Sequence, residues 1–422
     1  MHKGTSVESE VITAGASACR ASTARDVASS KPMRVGLLTG GQDRPYAFGL
    51  AMALIEKGIP LDVIGSDEID SPEMHSTANL TFLNLKGSWR ERGRSVKVLK
   101  LAVYYMRLMW YVAFTDAKVL HILWNNRFEY FDRTLLMAYF RLLDKKVLLT
   151  AHNVNIGRRD GTDSWLNRVT LRIQYYLANH IFVHTPKMRD ELCREFDVHG
   201  RSVTVLRHPI NNAFPDTDLQ PEEAKEQLGL AKDDKAILFF GRIRPYKGLE
   251  YLLQAFEEIA ERDPAYRLII AGEWKKGLEA YFSQIQDMIR RSPYRARIVE
   301  KSEFIPDQDA EVYLKAADVM VLPYKEIFQS GVLFLSYSFG LPVVVTDVGS
   351  FREEVIEGKT GFVCPPCDKA GLAKAIERYF GSELFCNLAV HRRDLREYAF
   401  EHHSWGAVAE LTRNAYSGLL KG

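Results

Sequence analysis

The chain has 422 residues, of which 46% are hydrophobic and 26% charged, with a formal net charge of +2. That composition is globular, and the length suggests two to three domains, with two domains around a cleft as the simplest arrangement. The near-neutral balance excludes a strongly nucleic-acid-binding surface, so no nucleic acid partner is expected. Five cysteines (Cys19, Cys193, Cys364, Cys367 and Cys386) make neither a disulfide scaffold nor an obvious metal set, which points to a reducing cytoplasm. Cys364 and Cys367 have C-x-x-C spacing, but the two prolines between them read as a rigid turn, and no second pair or close histidine completes a zinc set.

Residues 1–32 are rich in Ser, Ala, Thr and charge, lack an apolar run suited to a secretory signal, and read as a disordered leader. No uninterrupted apolar run of roughly eighteen residues exists, so no transmembrane helix is expected. Folded sequence begins at Met33 with a buried-strand run, then the turn Gly40-Gly41, then a helix with Pro45 in its first turn, an apolar face of Ala47, Leu50, Ala51, Leu54 and Ile55, and Gly58 at its end. A strand restarts at Leu61. Strand patterns at 80–85, 119–123, 147–151, 181–184 and 203–206 continue the alternation, which predicts a parallel, doubly wound α/β sheet.

One helix departs from this pattern. Between Lys86 and Arg107 stand seven basic residues (Lys86, Arg90, Arg92, Arg94, Lys97, Lys100 and Arg107) against one acid, Glu91, and the segment runs on into aromatic and apolar residues up to Phe114. Residues 86–114 suit an anionic membrane surface. They suit equally a core-packed helix with a solvated basic end, and both readings stand.

The loop chemistry at 207–215 marks a domain boundary. Beyond it strands are expected at 236–240, 267–271, 297–299, 319–322 and 342–346, giving a second Rossmann-like domain. The strand ending at Phe240 leads into Gly241, Arg242, Lys247 and Gly248, after which helical periodicity resumes. Two cations five positions apart, at the point where α/β sheets bind ligands, make a candidate clamp for a diphosphate. Arg supplies a planar fork of donors and Lys a mobile point charge, close to helix amides that favour anions. A short helix starting at Ser330-Gly331 offers further amides to a phosphate from the other side. Solvated surface cations and an ordinary Ser cap are the plain alternatives.

Together these segments resemble the GT-B glycosyltransferases, specifically the large retaining fourth family (group 1 type) that builds cell-surface polysaccharides and glycolipids. The likeness spans Met33 to the C-terminus. It rests on Gly40-Gly41, on His152 after the strand at 147–151, on His208-Pro209, on Gly241-Arg242 with Lys247-Gly248, and on the run from Phe339 to Val344 with Asp347 to Ser350 before Glu353 and Glu354. With the leader at 1–32 and the boundary at the 207–215 loop, the expected plan is 33–208 and 209–395 as two domains, to which the resemblance adds acceptor-side and nucleotide-sugar roles and a C-terminal helix at 396–422 returning to the first domain.

It also implies roles. Arg242 and Lys247 bind the donor diphosphate and assist its departure. Ser330, Gly331 and Val332 present amides to the phosphates, Gly40 and Gly41 face the donor across the cleft, and His152 lies near the reacting sugar carbon. The family's two glutamates in the segment before Phe339 are replaced: their slots hold Ile327 and Leu335. Glu326, Gln329 and Glu353 or Glu354 are the remaining candidates for sugar hydroxyl contacts. The implied reaction is transfer of a hexosyl group from a nucleotide diphosphate sugar to the hydroxyl of a saccharide or lipid-linked acceptor, with retention, in the cytoplasm or peripherally on the inner membrane face. No metal or other cofactor is required by this reading. A nucleotide-sugar epimerase or a non-catalytic binding protein on the same fold are the alternatives.

Overall fold

The computed structural model describes residues 33–41, 43–87, 94–159, 161–198, 203–210, 214–274 and 277–421. The leader at 1–32, Arg90, Glu91 and Arg92, and the Arg94 side chain lie outside the described residues. All the strands belong to one compact unit, Arg34–Gly422.

Two parallel sheets organise that unit. The first contains β1 (Val35–Leu38), β2 (Leu61–Gly65), β3 (Leu80–Asn84), β4 (Val119–Ile122), β5 (Lys146–Ala151), β6 (His180–Val183) and β7 (Val203–Val205), in spatial order β3-β2-β1-β4-β5-β6-β7. The second contains β8 (Lys235–Phe240), β9 (Tyr266–Ala271), β10 (Ile298–Lys301), β11 (Val319–Leu322), β12 (Val343–Thr346) and β13 (Gly361–Cys364), ordered β10-β9-β8-β11-β12-β13. Every residue of β1, β2 and β4 is buried, as parallel strands covered by helices on both faces require. The expected alternation thus forms two doubly wound, Rossmann-like domains. The edge strand β13 was not anticipated: it ends at Cys364, where the sequence reads most strongly as a turn.

Strand order reverses in both sheets at their first strand, between β1 and β4 and between β8 and β11. Such a switch point opens a crevice at the carboxyl ends of the strands. Gly40-Gly41 follows β1, and Arg242 and Lys247 follow β8, so each candidate loop leaves its sheet at the crevice.

The chain crosses between the domains twice. The first crossing, at His208-Pro209, is pinned to the second: Ile210 N donates to His403 O at 2.9 Å, and His403 Nδ1 donates to His208 O at 3.0 Å. The helix Leu388–His402 packs on Gly331–Ser338, and the helix Trp405–Lys421 packs on Arg44–Glu56 of the first domain. Tyr416 reaches into that domain and pairs with His121 Nδ1 at 2.7 Å.

The helix Arg94–Phe114 covers one face of the first sheet with Leu101, Tyr104, Tyr105, Leu108 and Val112. Its outer side carries Leu99, Met106, Trp110 and Phe114, all exposed, with Trp110 at 70%. The neighbouring helix Met137–Leu142 is tied to it by Tyr139 OH donating to Met109 O at 3.0 Å, and exposes Leu142. A surface helix normally keeps its apolar residues on one stripe; this one has them on both sides. Among the described residues, no helix is long and apolar enough to cross a membrane.

Candidate active site

The loop after β8 is shaped by two requirements. Pro245–Lys247 forms a single 3-10 turn, closed by Lys247 N donating to Arg244 O at 3.0 Å. Gly248 then takes φ 66°, and a Cβ there would lie 2.1 Å from Pro323 O at the end of β11, so only glycine lets the helix Leu249–Arg262 begin this close to its neighbour. The turn drives Lys247 inward. It is 6% exposed, with Nζ 5.3 Å from the Tyr324 ring centroid and 6.0 Å from that of Phe239. Burial, reinforced by the charges of Arg244 and Arg242, pushes its ammonium down to about 7. Arg242 stays at the cleft mouth with a 65% exposed side chain, and its Nε donates to Glu273 Oε1 at 3.0 Å.

Facing this loop is the start of the helix Gly331–Ser338. Ser330 takes an extended cap position, but its hydroxyl makes no capping hydrogen bond and lies 3.5 Å from Tyr324 OH. The first amides of a helix have no partner within it and carry the positive end of its dipole. Here they open toward the cleft.

That cleft holds two cavities of about 520 and 1160 Å3. Both are lined by Asp43, Trp124, Arg242, Gly331 and Val332, which therefore form the seam between them. Lys247, Gln329, Ser330 and His152 line the smaller cavity; Gly41, Phe304, Asp307 and Leu335 line the larger. Asp43 caps the helix Arg44–Glu56, accepting from Tyr46 N at 3.2 Å, and takes φ 47° to do so. A cation and a helix N-terminus thus meet where the two cavities join.

His152 stands just past β5, its ring stacked on Trp124 at 4.2 Å between centroids and 2° between planes, with Tyr46 edge-on at 4.8 Å. Its Nδ1 lies 2.9 Å from His184 Nε2, and its buried Nε2 has no hydrogen-bond partner among the described residues. Burial, then the neighbouring His184 and His208, hold its pKa well below the usual imidazole value, so the ring is neutral.

Residues 220–402 match the family model of glycosyl transferases group 1. That segment is similar to the group 1 glycosyltransferases. Among curated relatives, an uncharacterised glycosyltransferase of Methanocaldococcus jannaschii is 26% identical over 382 residues, 87% of this chain and 92% of that one. The D-inositol 3-phosphate glycosyltransferase of Corynebacterium diphtheriae is 28% identical over 64% of this chain and 63% of its own. Among solved structures, sucrose-phosphate synthase from Thermosynechococcus elongatus superposes with TM-score 0.74 at 19% identity, covering 92% of this chain and 99% of that one. Anabaena HepE in complex with UDP and glucose gives 0.72 at 14%, covering 92% and 100%. The fold is GT-B.

On this GT-B fold the expected site residues separate into two groups. Arg242, Lys247, His152, Gln329, Ser330, Gly331 and Val332 line the smaller cavity, and Gly41 lines the larger. Gly40 backs the turn at φ 62°: a Cβ would lie 2.7 Å from Trp124 O, and Lys86 Nζ donates to its carbonyl at 2.9 Å. Glu326 and Glu354 line neither cavity. Glu326 is exposed, whereas its neighbour Ile327 turns inward. Glu354 sits in the short helix Phe351–Glu354 and points toward the second crossing, with Oε2 3.6 Å from His403 Nε2; burial raises its carboxyl to about 7. Glu353 is exposed. Leu335 lines the larger cavity.

The first domain supplies groups that motif reading passed over. Arg133, in the π-helical turn Asp132–Leu136, is buried, lines the smaller cavity and donates to Glu129 and to Asn167 Oδ1. Asn125 and Gln174 pair beside it, with Gln174 Nε2 donating to Asn125 Oδ1 at 2.7 Å. His184 is the other omission. A signal for it existed: His152 and His184 each directly follow a strand, and β5 and β6 are neighbours.

Proposed function

We propose that the protein transfers a hexosyl group from a nucleotide diphosphate sugar to an acceptor hydroxyl, with retention at the anomeric carbon, in building a polysaccharide or a lipid-linked saccharide. One observation carries this reading: Arg242 and the N-terminus of the helix Gly331–Ser338 meet at the seam of two cavities, with buried Lys247 beside them. A diphosphate at the seam places a nucleoside in the larger cavity against Phe304 and a sugar in the smaller one beside His152. The acceptor then enters from the first-domain end, past Arg133, Glu129 and Gln174.

As the bond between the anomeric carbon and the diphosphate oxygen breaks, negative charge grows on the leaving group. Fixed cations and amides aimed at that charge stabilise the transition state more than the ground state. The acceptor oxygen bonds to the anomeric carbon, and its proton passes to the departing phosphate. Enclosure between the two domains limits water, which competes as acceptor.

The apolar outer side of the helix Arg94–Phe114, with Lys97, Lys100 and Arg107 on the same element, supports docking on an anionic bilayer that carries the acceptor. UDP-sugars are the first donors to test, since the similar HepE structure holds UDP and glucose. Incubating the protein with UDP-, ADP- and GDP-sugars and an acceptor extract, and following free nucleotide, tests the proposal. Acceptor-dependent release supports transfer; no release with any donor overturns it in favour of a binding protein.

A further inference from the structure

We infer that His184 is a positioning residue: it fixes the tautomer of His152 so that a bare Nε2 faces the smaller cavity as a hydrogen-bond acceptor for a substrate hydroxyl.

The polarity of the chain of contacts has one solution. Leu206 O lies 3.0 Å from His184 Nδ1, and a carbonyl only accepts, so His184 Nδ1 carries the proton. In a neutral imidazole the other nitrogen is then a lone pair. That lone pair, on His184 Nε2, lies 2.9 Å from His152 Nδ1, which must therefore be the donor. His152 Nε2 is left without hydrogen, buried and without a hydrogen-bond partner among the described residues, on a residue that lines the cavity.

Neutrality of both rings follows from their surroundings. Among the described residues, Tyr46 from the first helix packs on both rings, the charges that act on His152 are those of His184, His208 at the crossing and His121 from β4, and none of these groups supplies a negative charge at neutral pH; Asp43 and Glu129 line the same cavity but do not act on the ring. Burial lowers His184 to about 3. The Trp124 stack fixes the plane of the His152 ring, so its lone pair has one direction.

The consequence is selective. A bare nitrogen accepts from a sugar hydroxyl and gives nothing to a carbonyl or phosphate oxygen, so this point of the cavity reads a donor group. The assignment of that hydroxyl to a transferred sugar rests on the proposed transferase activity; the tautomer does not.

The test is nitrogen-15 NMR of the histidine side chains in the ligand-free full chain, with His152→Gln used to assign the His152 signals. The expected result is a single His152 tautomer with the proton on Nδ1. His184→Leu should lose that single tautomer and lower kcat for nucleotide release by about tenfold, the scale of one neutral hydrogen bond. His184→Gln, whose amide oxygen can accept the same proton, should restore both, with thermal melting checking the fold of each variant. A proton on Nε2 in the wild type, or an unchanged tautomer in His184→Leu, overturns the inference. If the tautomer is as stated but no donor is turned over, the transferase reading fails and the role of His184 stands.

Discussion

Lys247 Nζ lies 5.3 Å from the centroid of the Tyr324 ring, and the charges that act on this buried ammonium, those of Arg244 and Arg242, have its own sign. Burial and these like charges therefore hold Lys247 near 7, against an ordinary value of 10.5. Between those values the unfolded chain binds a proton that the folded chain has lost, so this group makes stability rise as pH climbs from about 7 toward 10.5 and penalises folding below that window. A bound diphosphate reverses the local field and restores the charge. At pH 8, UDP binding should take up as much as one proton, read by calorimetry in buffers of different ionisation enthalpy; Lys247→Met should abolish the uptake. Equal uptake in the variant would contradict the assignment.

Gly248 tests the geometry of the same loop. Gly248→Ala puts a methyl 2.1 Å from Pro323 O at φ 66°. The conformational cost alone is about 1–2 kcal/mol, and relieving the overlap must shift the turn that aims Lys247. A lower melting temperature together with weaker UDP binding is expected. An unchanged melting temperature would mean that the helix Leu249–Arg262 starts elsewhere.

The placement of Arg242, Lys247 and Gly248 in a strand-to-helix loop was legible because a buried strand, a glycine and a restarting helix period bracket them, and local punctuation of that kind survives without tertiary information. The parallel strands were legible for the same reason. The rest of the cavity lining was not. Glu326 and Ile327 are adjacent, and which of them faces the cavity depends on the path of the loop 323–330 between β11 and the next helix, which no periodicity describes. Glu354 was a candidate to stand in for the glutamates that the resemblance leads one to expect, yet a four-residue helix turns it to His403. Arg133 and His184 gain meaning only when distant segments meet: Arg133 through Asn167, and His184 through Leu206 and His152.

Glu354 gives a pH prediction of opposite sign to Lys247. Its carboxyl is raised from 4.5 to about 7 by burial, so the folded chain keeps a proton that the unfolded chain loses. Stability from this group is present below about 4.5 and is lost as pH rises through 7. Glu354→Gln should remove that loss and raise the melting temperature at pH 8 relative to wild type, with little difference at pH 4.5. A drop at pH 8 would show that the charged carboxylate is held by Arg207 or His403 more strongly than burial opposes it.

The outer side of the helix Arg94–Phe114 predicts interfacial binding. Trp110 and Phe114 are 70% and 69% exposed, and their rings pack together at 4.4 Å between centroids. Replacing both with Ser should abolish sedimentation with phosphatidylglycerol-containing vesicles while leaving thermal stability close to wild type, because neither side chain is in the core. Binding to neutral phosphatidylcholine vesicles should be weaker and less sensitive to salt. Equal vesicle binding by the double variant would exclude this face.

The most direct measurement is the rate of nucleotide release from the donor that the screen identifies, for wild type, Arg242→Ala and Lys247→Ala, with circular dichroism and melting curves for each. If the two cations stabilise charge on the departing diphosphate, each substitution lowers kcat by about 10²–10³-fold with the fold retained, the scale seen when one preorganised donor to a developing anion is removed. Wild-type release rates in both folded variants would contradict the account.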